Sequence, residues 1–157
     1  MFHNTPRTFQ YAKQYQATRL DTSILNNTVA LCTSGLNTCF AVIGLGKTRL
    51  SLAHTHMDEH DNPINQIIAE IVWTDAKQVQ IFRNPNAWEG GKRKTAFNAF
   101  AERIKKQLPE KYKSLDIKII DGAGTSSTLE FCGLYQGQAI LTSFGILLRV
   151  NFFSCAI

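Results

Sequence analysis

The chain is poor in cysteine, with four in 157 residues at positions 32, 39, 132 and 155, and none of them forms a C-x-x-C pair or the dense spacing that staples a small domain. A disulfide scaffold is therefore not expected, and reduced thiols in a cytosolic compartment are the simpler expectation. No apolar run approaches the roughly 20 residues needed to span a bilayer, so no membrane partner is expected. Near the N-terminus Arg7, Lys13 and Arg19 enclose no apolar core of the signal-peptide kind. Ser154-Cys155-Ala156-Ile157 places its cysteine third from the last residue, one short of a prenylation box, and implies no lipid anchor. There are four histidines and no internal repeat or low-complexity tract.

What is present fits one globular domain: 44% hydrophobic and 18% charged residues, with a net charge of +5. The positive charge gathers at Lys92-Arg93-Lys94 and continues through Arg103, Lys105, Lys106, Lys111 and Lys113. Aromatic residues are not interleaved with these charges as a nucleic-acid surface requires, so nucleic acid is not an expected partner. A solvated helix face, or one that steers an acidic protein partner, accounts for them.

Periodicity divides the chain into short elements. Residues 1–25, polar and rich in Gln, Thr and Asn, read as an N-terminal arm. A strand is expected over Val29–Thr33. Pro63 suits the first turn of a helix running to about Trp73, with Ile64, Ile67, Ile68 and Ile71 at helical spacing. A strand follows over Val79–Phe82, then a helix over Lys94–Leu108 with Phe97, Phe100, Ala101 and Ile104 as its apolar stripe and Pro109 at its end. Further strands are expected over Leu115–Asp121, Leu129–Tyr135 paired with Gln138–Phe144, and Ile146–Phe153. The expected fold class is α+β: a layered sandwich of mixed, largely antiparallel β-sheet with two amphipathic helices packed on one face.

The stretch from Leu31 to His56 carries the chemistry. Cys39 could serve as a nucleophile, provided an imidazole stands near it to take its proton and a third group fixes the tautomer of that imidazole. Thr33 lies six residues before Cys39 and His54 fifteen after it. Phe40–Ile43 is apolar, Gly44-Leu45-Gly46-Lys47 reads as a turn, and Thr48–His54 alternates at period two, which is a hairpin pattern. A turn centred near Leu45 or Gly46 returns His54 to the level of Cys39. His56, two residues on and on the same strand face, is the competing base. A buried cysteine packed as a small hydrophobe is the alternative reading of Cys39.

Two other patterns overlap this stretch. Ala41-Val42-Ile43-Gly44-Leu45-Gly46-Lys47-Thr48 satisfies a permissive phosphate-loop pattern, with Asp121 ending a strand downstream, but such a loop needs a helix N-terminus after it and the residues after Thr48 alternate as a strand does. His54-Thr55-His56-Met57-Asp58-Glu59-His60 resembles a metallo-hydrolase zinc signature with one residue inserted. The one histidine outside this cluster is His3, which leaves that fold's downstream ligands without candidates, and no functional metal site is expected.

Leu36-Asn37-Thr38-Cys39, the following strand, the Gly-containing turn and a second strand ending Ala53-His54-Thr55 resemble the core of the Cys–His glutamine deamidases, the group of the chemoreceptor deamidase CheD, the catalytic domain of cytotoxic necrotizing factor and the lethal factor of Burkholderia. Leu36 and Cys39 match the nucleophile motif, His54-Thr55 matches the toxin member, and Thr33 stands where CheD and the lethal factor carry an orienting Thr. Lys118-Ile119-Ile120-Asp121-Gly122-Ala123 is similar to a strand that follows a helix in CheD. Asn37-Thr38 departs from the small residues of the family. The likeness covers residues 28–57, and 92–124 loosely.

This resemblance implies a protein glutamine deamidase in which Cys39, His54 and Thr33 form the triad, with Asn37, Thr38 and His56 against the substrate. It implies a single catalytic domain over 26–157, no cofactor, a monomer, and a protein partner carrying a reactive Gln. It implies action in the cytoplasm, or in a host cytosol as a bacterial toxin or effector. A non-enzymatic basic module that binds an acidic partner is the competing expectation.

Overall fold

The structure, a computed structural model, describes residues 8–21, 29–36, 38–56, 62–83, 91–121, 128–134, 138–144 and 154–155. Ten strands and two α-helices are described: β1 (Thr8–Tyr11), β2 (Ala17–Asp21), β3 (Val29–Thr33), β4 (Phe40–Leu45), β5 (Arg49–Thr55), α1 (Asn62–Thr74), β6 (Gln78–Arg83), α2 (Gly91–Gln107), β7 (Asp116–Asp121), β8 (Thr128–Leu134), β9 (Gln138–Phe144) and β10 (Ser154–Cys155). They form two five-stranded sheets, in the orders β1-β3-β8-β9-β10 and β2-β5-β4-β6-β7. Each sheet contains one parallel pair, β1 with β3 and β6 with β7, and is otherwise antiparallel. The expected α+β layering is the observed one.

Two apolar layers follow from the alternation of β4 and β5. Ala41, Ile43 and Leu45 with Leu50 and Leu52 point to one face, where they meet Leu31, Leu36, Ala12 and Phe82 between the sheets. Phe40, Val42 and Ala53 point to the other, against Ile64, Ile67 and Ile71 of α1 and Phe97, Phe100 and Ile104 of α2. Phe40 anchors both α2 aromatics edge-on, with ring centroids 5.6 Å from Phe97 and 5.2 Å from Phe100. β4 is buried on both faces, which is why its sequence is a continuous apolar run.

α1 ends in a Schellman motif: Asp75 takes a left-handed φ of 48°, Ala76 N donates to Ile71 O and Asp75 N to Val72 O. Lys77 N then donates to Leu45 O at 2.7 Å, tying the helix end to the β4–β5 hairpin. Both glycines of the hairpin serve this junction. A Cβ on Gly44 would stand 2.8 Å from Ser51 Oγ and 3.0 Å from Thr74 Oγ1, and one on Gly46 only 1.8 Å from the Thr74 carbonyl oxygen. Gly44 is therefore a strand residue making room for α1, not part of the turn. The turn is centred between Lys47 and Thr48, further along than expected, and the register pairs His54 with Ala41 and not with Cys39.

Residues 8–21, within the stretch expected to be a polar arm, supply edge strands to both sheets, with Ala12 and Leu20 buried. Their polar composition reflects edge positions with one exposed flank. The expected strand over Ile146–Phe153 and the turn after Asp121 lie outside the described residues.

Candidate active site

The ends of β3 and β5 meet between the sheets, beside Ala12 just after β1. Cys39 stands two residues before Ala41, and both belong to the cluster between the sheets. On β5, His54 continues the series Leu50, Leu52 and pairs with Ala41. Cys39, just before β4, thus packs in the layer between the sheets, the layer in which His54 meets Thr33 of the other sheet. The two-residue difference from the expected register preserves the face, because side chains alternate with period two.

Thr33 comes from the opposite sheet, at the end of β3, and its Oγ1 lies 2.7 Å from His54 Nδ1. The same hydroxyl donates to the Ala12 carbonyl at 2.8 Å. A threonine hydroxyl has one proton, and a carbonyl can only accept. The proton is thus committed to Ala12, so Oγ1 accepts from Nδ1–H. That fixes His54 in the tautomer whose Nε2 carries a free lone pair. Nε2 has no hydrogen-bond partner among the described residues. The ring is buried, with the residue 3% exposed, and burial pushes its pKa below the ordinary 6.5. Burial thus favours the neutral ring, whose Nε2 lone pair is open to a proton. His54 N also donates to Gln16 O at 2.9 Å, pinning the strand end.

Cys39 is 5% exposed, and its sulfur receives a hydrogen bond from Gln14 Nε2 at 3.6 Å. Nothing in the sequence marks Gln14, since Lys13-Gln14-Tyr15-Gln16 contains no Gly, Pro or Asn to signal a turn. It is a turn nonetheless: Gln16 N donates to Lys13 O at 2.9 Å, and Tyr15 takes φ 65°. Positive φ at the third residue is the type II pattern, which ordinarily asks for glycine. Tyr15 is held there by its ring against His56, centroids 4.3 Å apart, and by Gln66 Nε2 donating to its carbonyl at 3.2 Å.

Of the other expected site residues, Thr38 is exposed at a bend beside Cys39, His56 is half-buried under Tyr15, and Asn37 lies outside the described residues. Thr33 holds His54 and not His56. The phosphate-loop pattern at Ala41–Thr48 is a β-hairpin followed by strand β5, so no helix N-terminus stands behind it to meet an anion. Among the described residues no group of three or more His, Cys, Asp or Glu side chains could hold a metal ion; Asp58, Glu59, His60 and His3 lie outside them. None of the described helices is long and apolar enough to cross a membrane.

No family model matches the chain, and no curated protein matches it. Among solved structures it is similar to the C-terminal domain of CNFy from Yersinia pseudotuberculosis, with a TM-score of 0.47 and 8% identity, over 94% of this chain and 62% of that one.

Proposed function

We propose that the chain is a cysteine-dependent amidohydrolase acting on the side-chain carboxamide of a protein Gln. The observation that carries this is the commitment of the Thr33 proton to Ala12, which leaves His54 Nε2 as an unpartnered base in the inter-sheet layer where Cys39 also packs. In the reaction His54 Nε2 takes the Cys39 proton as sulfur attacks the carboxamide carbon. His54 then protonates the departing ammonia, and water, deprotonated by the same nitrogen, hydrolyses the thioester to leave Glu. Burial of His54 disfavours a resting imidazolium, so the proton moves with the attack and not before it. An amine in place of water would give a transglutaminase. The likeness of Ala53-His54-Thr55 to the toxin deamidases extends the proposal to an effector acting on a host protein.

The low exposure of Cys39 favours a second reading, a packed thiol in a non-enzymatic module whose exposed Lys94, Lys105, Lys106 and Lys113 face an acidic partner. Incubating the wild type and Cys39→Ser with a cell lysate, followed by mass spectrometry for Gln-to-Glu conversion, separates the two. Conversion by the wild type alone is expected; conversion by both proteins or by neither overturns the amidohydrolase.

A further inference from the structure

We propose that Gln14 is an oxyanion donor of this site, a role that rests on Cys39 being the nucleophile. When a thiolate adds to a carbonyl carbon, the negative charge appears on an oxygen attached to the atom the sulfur has just bonded. A neutral N–H already held against the sulfur is therefore adjacent to where that charge develops, and preorganised donors at that place are usually the largest electrostatic contribution to acyl transfer. Gln14 Nε2 is such a donor, 3.6 Å from Cys39 Sγ. A carboxamide suits this role because it offers two N–H donors, carries no charge to lock the thiolate in an ion pair, and has no acidic proton to give away.

The turn that presents Gln14 supplies a second, independent observation. A bulky residue at φ 65° is strained, and such conformations persist where surrounding contacts over-determine them, often at functional sites. Tyr15 is over-determined: its ring lies on His56, its carbonyl accepts from Gln66, and the next residue's carbonyl accepts from His54 N. One short segment thus fixes both the strand end that carries the base and the amide that reaches the nucleophile. Base and donor come from different elements, His54 from β5 between the sheets and Gln14 from the turn leading into β2. Proton removal and charge stabilisation thereby fall to separate groups.

Two probes that need no knowledge of the natural substrate isolate the role. Acylation of Cys39 by p-nitrophenyl acetate passes through a tetrahedral oxyanion, whereas alkylation by iodoacetamide does not. In Gln14→Ala the acylation rate of Cys39 is expected to fall about a hundredfold, within the range for loss of one oxyanion donor, with alkylation within about threefold of wild type. Gln14→Asn, which keeps the amide on a shorter stem, should recover part of the acylation. Acylation unchanged in Gln14→Ala overturns the proposal, as does alkylation falling by the same factor, which would make Gln14 a partner of the sulfur alone. A rise in both rates would show a plug over the thiol and also overturn it. A wild type whose Cys39 reacts with neither probe faster than Cys32 removes the amidohydrolase itself, and Gln14's role with it.

Discussion

Replacing Thr33 by Val removes one hydroxyl and keeps the shape, and two consequences follow from its two hydrogen bonds. The His54 Nδ1–H and the Ala12 carbonyl lose partners at 2.7 and 2.8 Å in a buried setting. An unsatisfied buried polar group costs about 1–3 kcal/mol, so for the two groups together a loss of about 2–6 kcal/mol is expected. For a domain of this length each kcal/mol lowers Tm by roughly 2–4 °C, and thermal unfolding should shift down by about 4–24 °C. Reactivity should change separately. Without an acceptor at Nδ1 the ring is free to carry its proton on Nε2, the nitrogen proposed to take the Cys39 proton, and a positioned general base contributes on the order of 10²–10⁴ in rate. Iodoacetamide labelling of Cys39, resolved by peptide mass spectrometry, should slow by about a hundredfold in Thr33→Val. It should return to within several-fold of wild type in Thr33→Ser, which keeps the hydroxyl and loses only a methyl. A Val variant that is destabilised but labels at the wild-type rate would refute the tautomer argument and reduce Thr33 to a structural residue.

Stability should depend on pH through His54. Its folded pKa lies below the ordinary 6.5 because of burial, so as pH falls from 6.5 toward that lower value the unfolded chain binds a proton that the folded one refuses. Stability contributed by neutral His54 is complete above about pH 6.5 and lost as pH falls through the folded pKa; urea midpoints of wild type against His54→Gln should show the acid-side slope only in the former. Gly46→Ala should destabilise by about 3 kcal/mol or more by urea unfolding, because its Cβ would overlap the Thr74 carbonyl; a loss under about 1 kcal/mol would mean the hairpin turn is not pressed against α1. Arg19 forms a bidentate pair with buried Glu70, with Nε 2.9 Å and NH2 2.9 Å from the carboxylate, but is itself 42% exposed. Loss of a partner from a fully buried pair costs about 3–5 kcal/mol, and discounting for Arg19's exposure leaves about 2 kcal/mol for Arg19→Met. No loss of the urea midpoint would show that solvent already satisfies Glu70.

The elements around the site are legible in the sequence because alternation and helical spacing are strong there. Leu50, Leu52 and His54 read as one strand face, and Ile64, Ile67 and Ile71 as one helix face, and both faces are buried as read. Six residues from Cys39 back to Thr33 cannot by themselves reveal that Thr33 lies on the other sheet; the likeness to the deamidases picks out the residue, and tertiary packing supplies the contact. The turn lies further along than the sequence suggests because two glycines in Gly44-Leu45-Gly46 look like chain reversal, when each makes room for the end of α1. Gln14 is invisible for the opposite reason: its turn carries Tyr15 where a glycine would have announced it, and the contacts that hold Tyr15 come from His56, just past β5, and from α1.

In the proposed reaction His54 takes the proton of Cys39. The pH profile of Cys39 labelling by iodoacetamide, read beside Cys32 in the same molecule, tests it most directly. In the wild type Cys39 should stay reactive down to a pH below 6.5, where the buried imidazole finally takes its own proton. In His54→Gln that reactivity at mildly acid pH should vanish, leaving Cys39 no faster than Cys32 across the profile. A wild-type profile for Cys39 that overlays the His54→Gln profile would contradict the account.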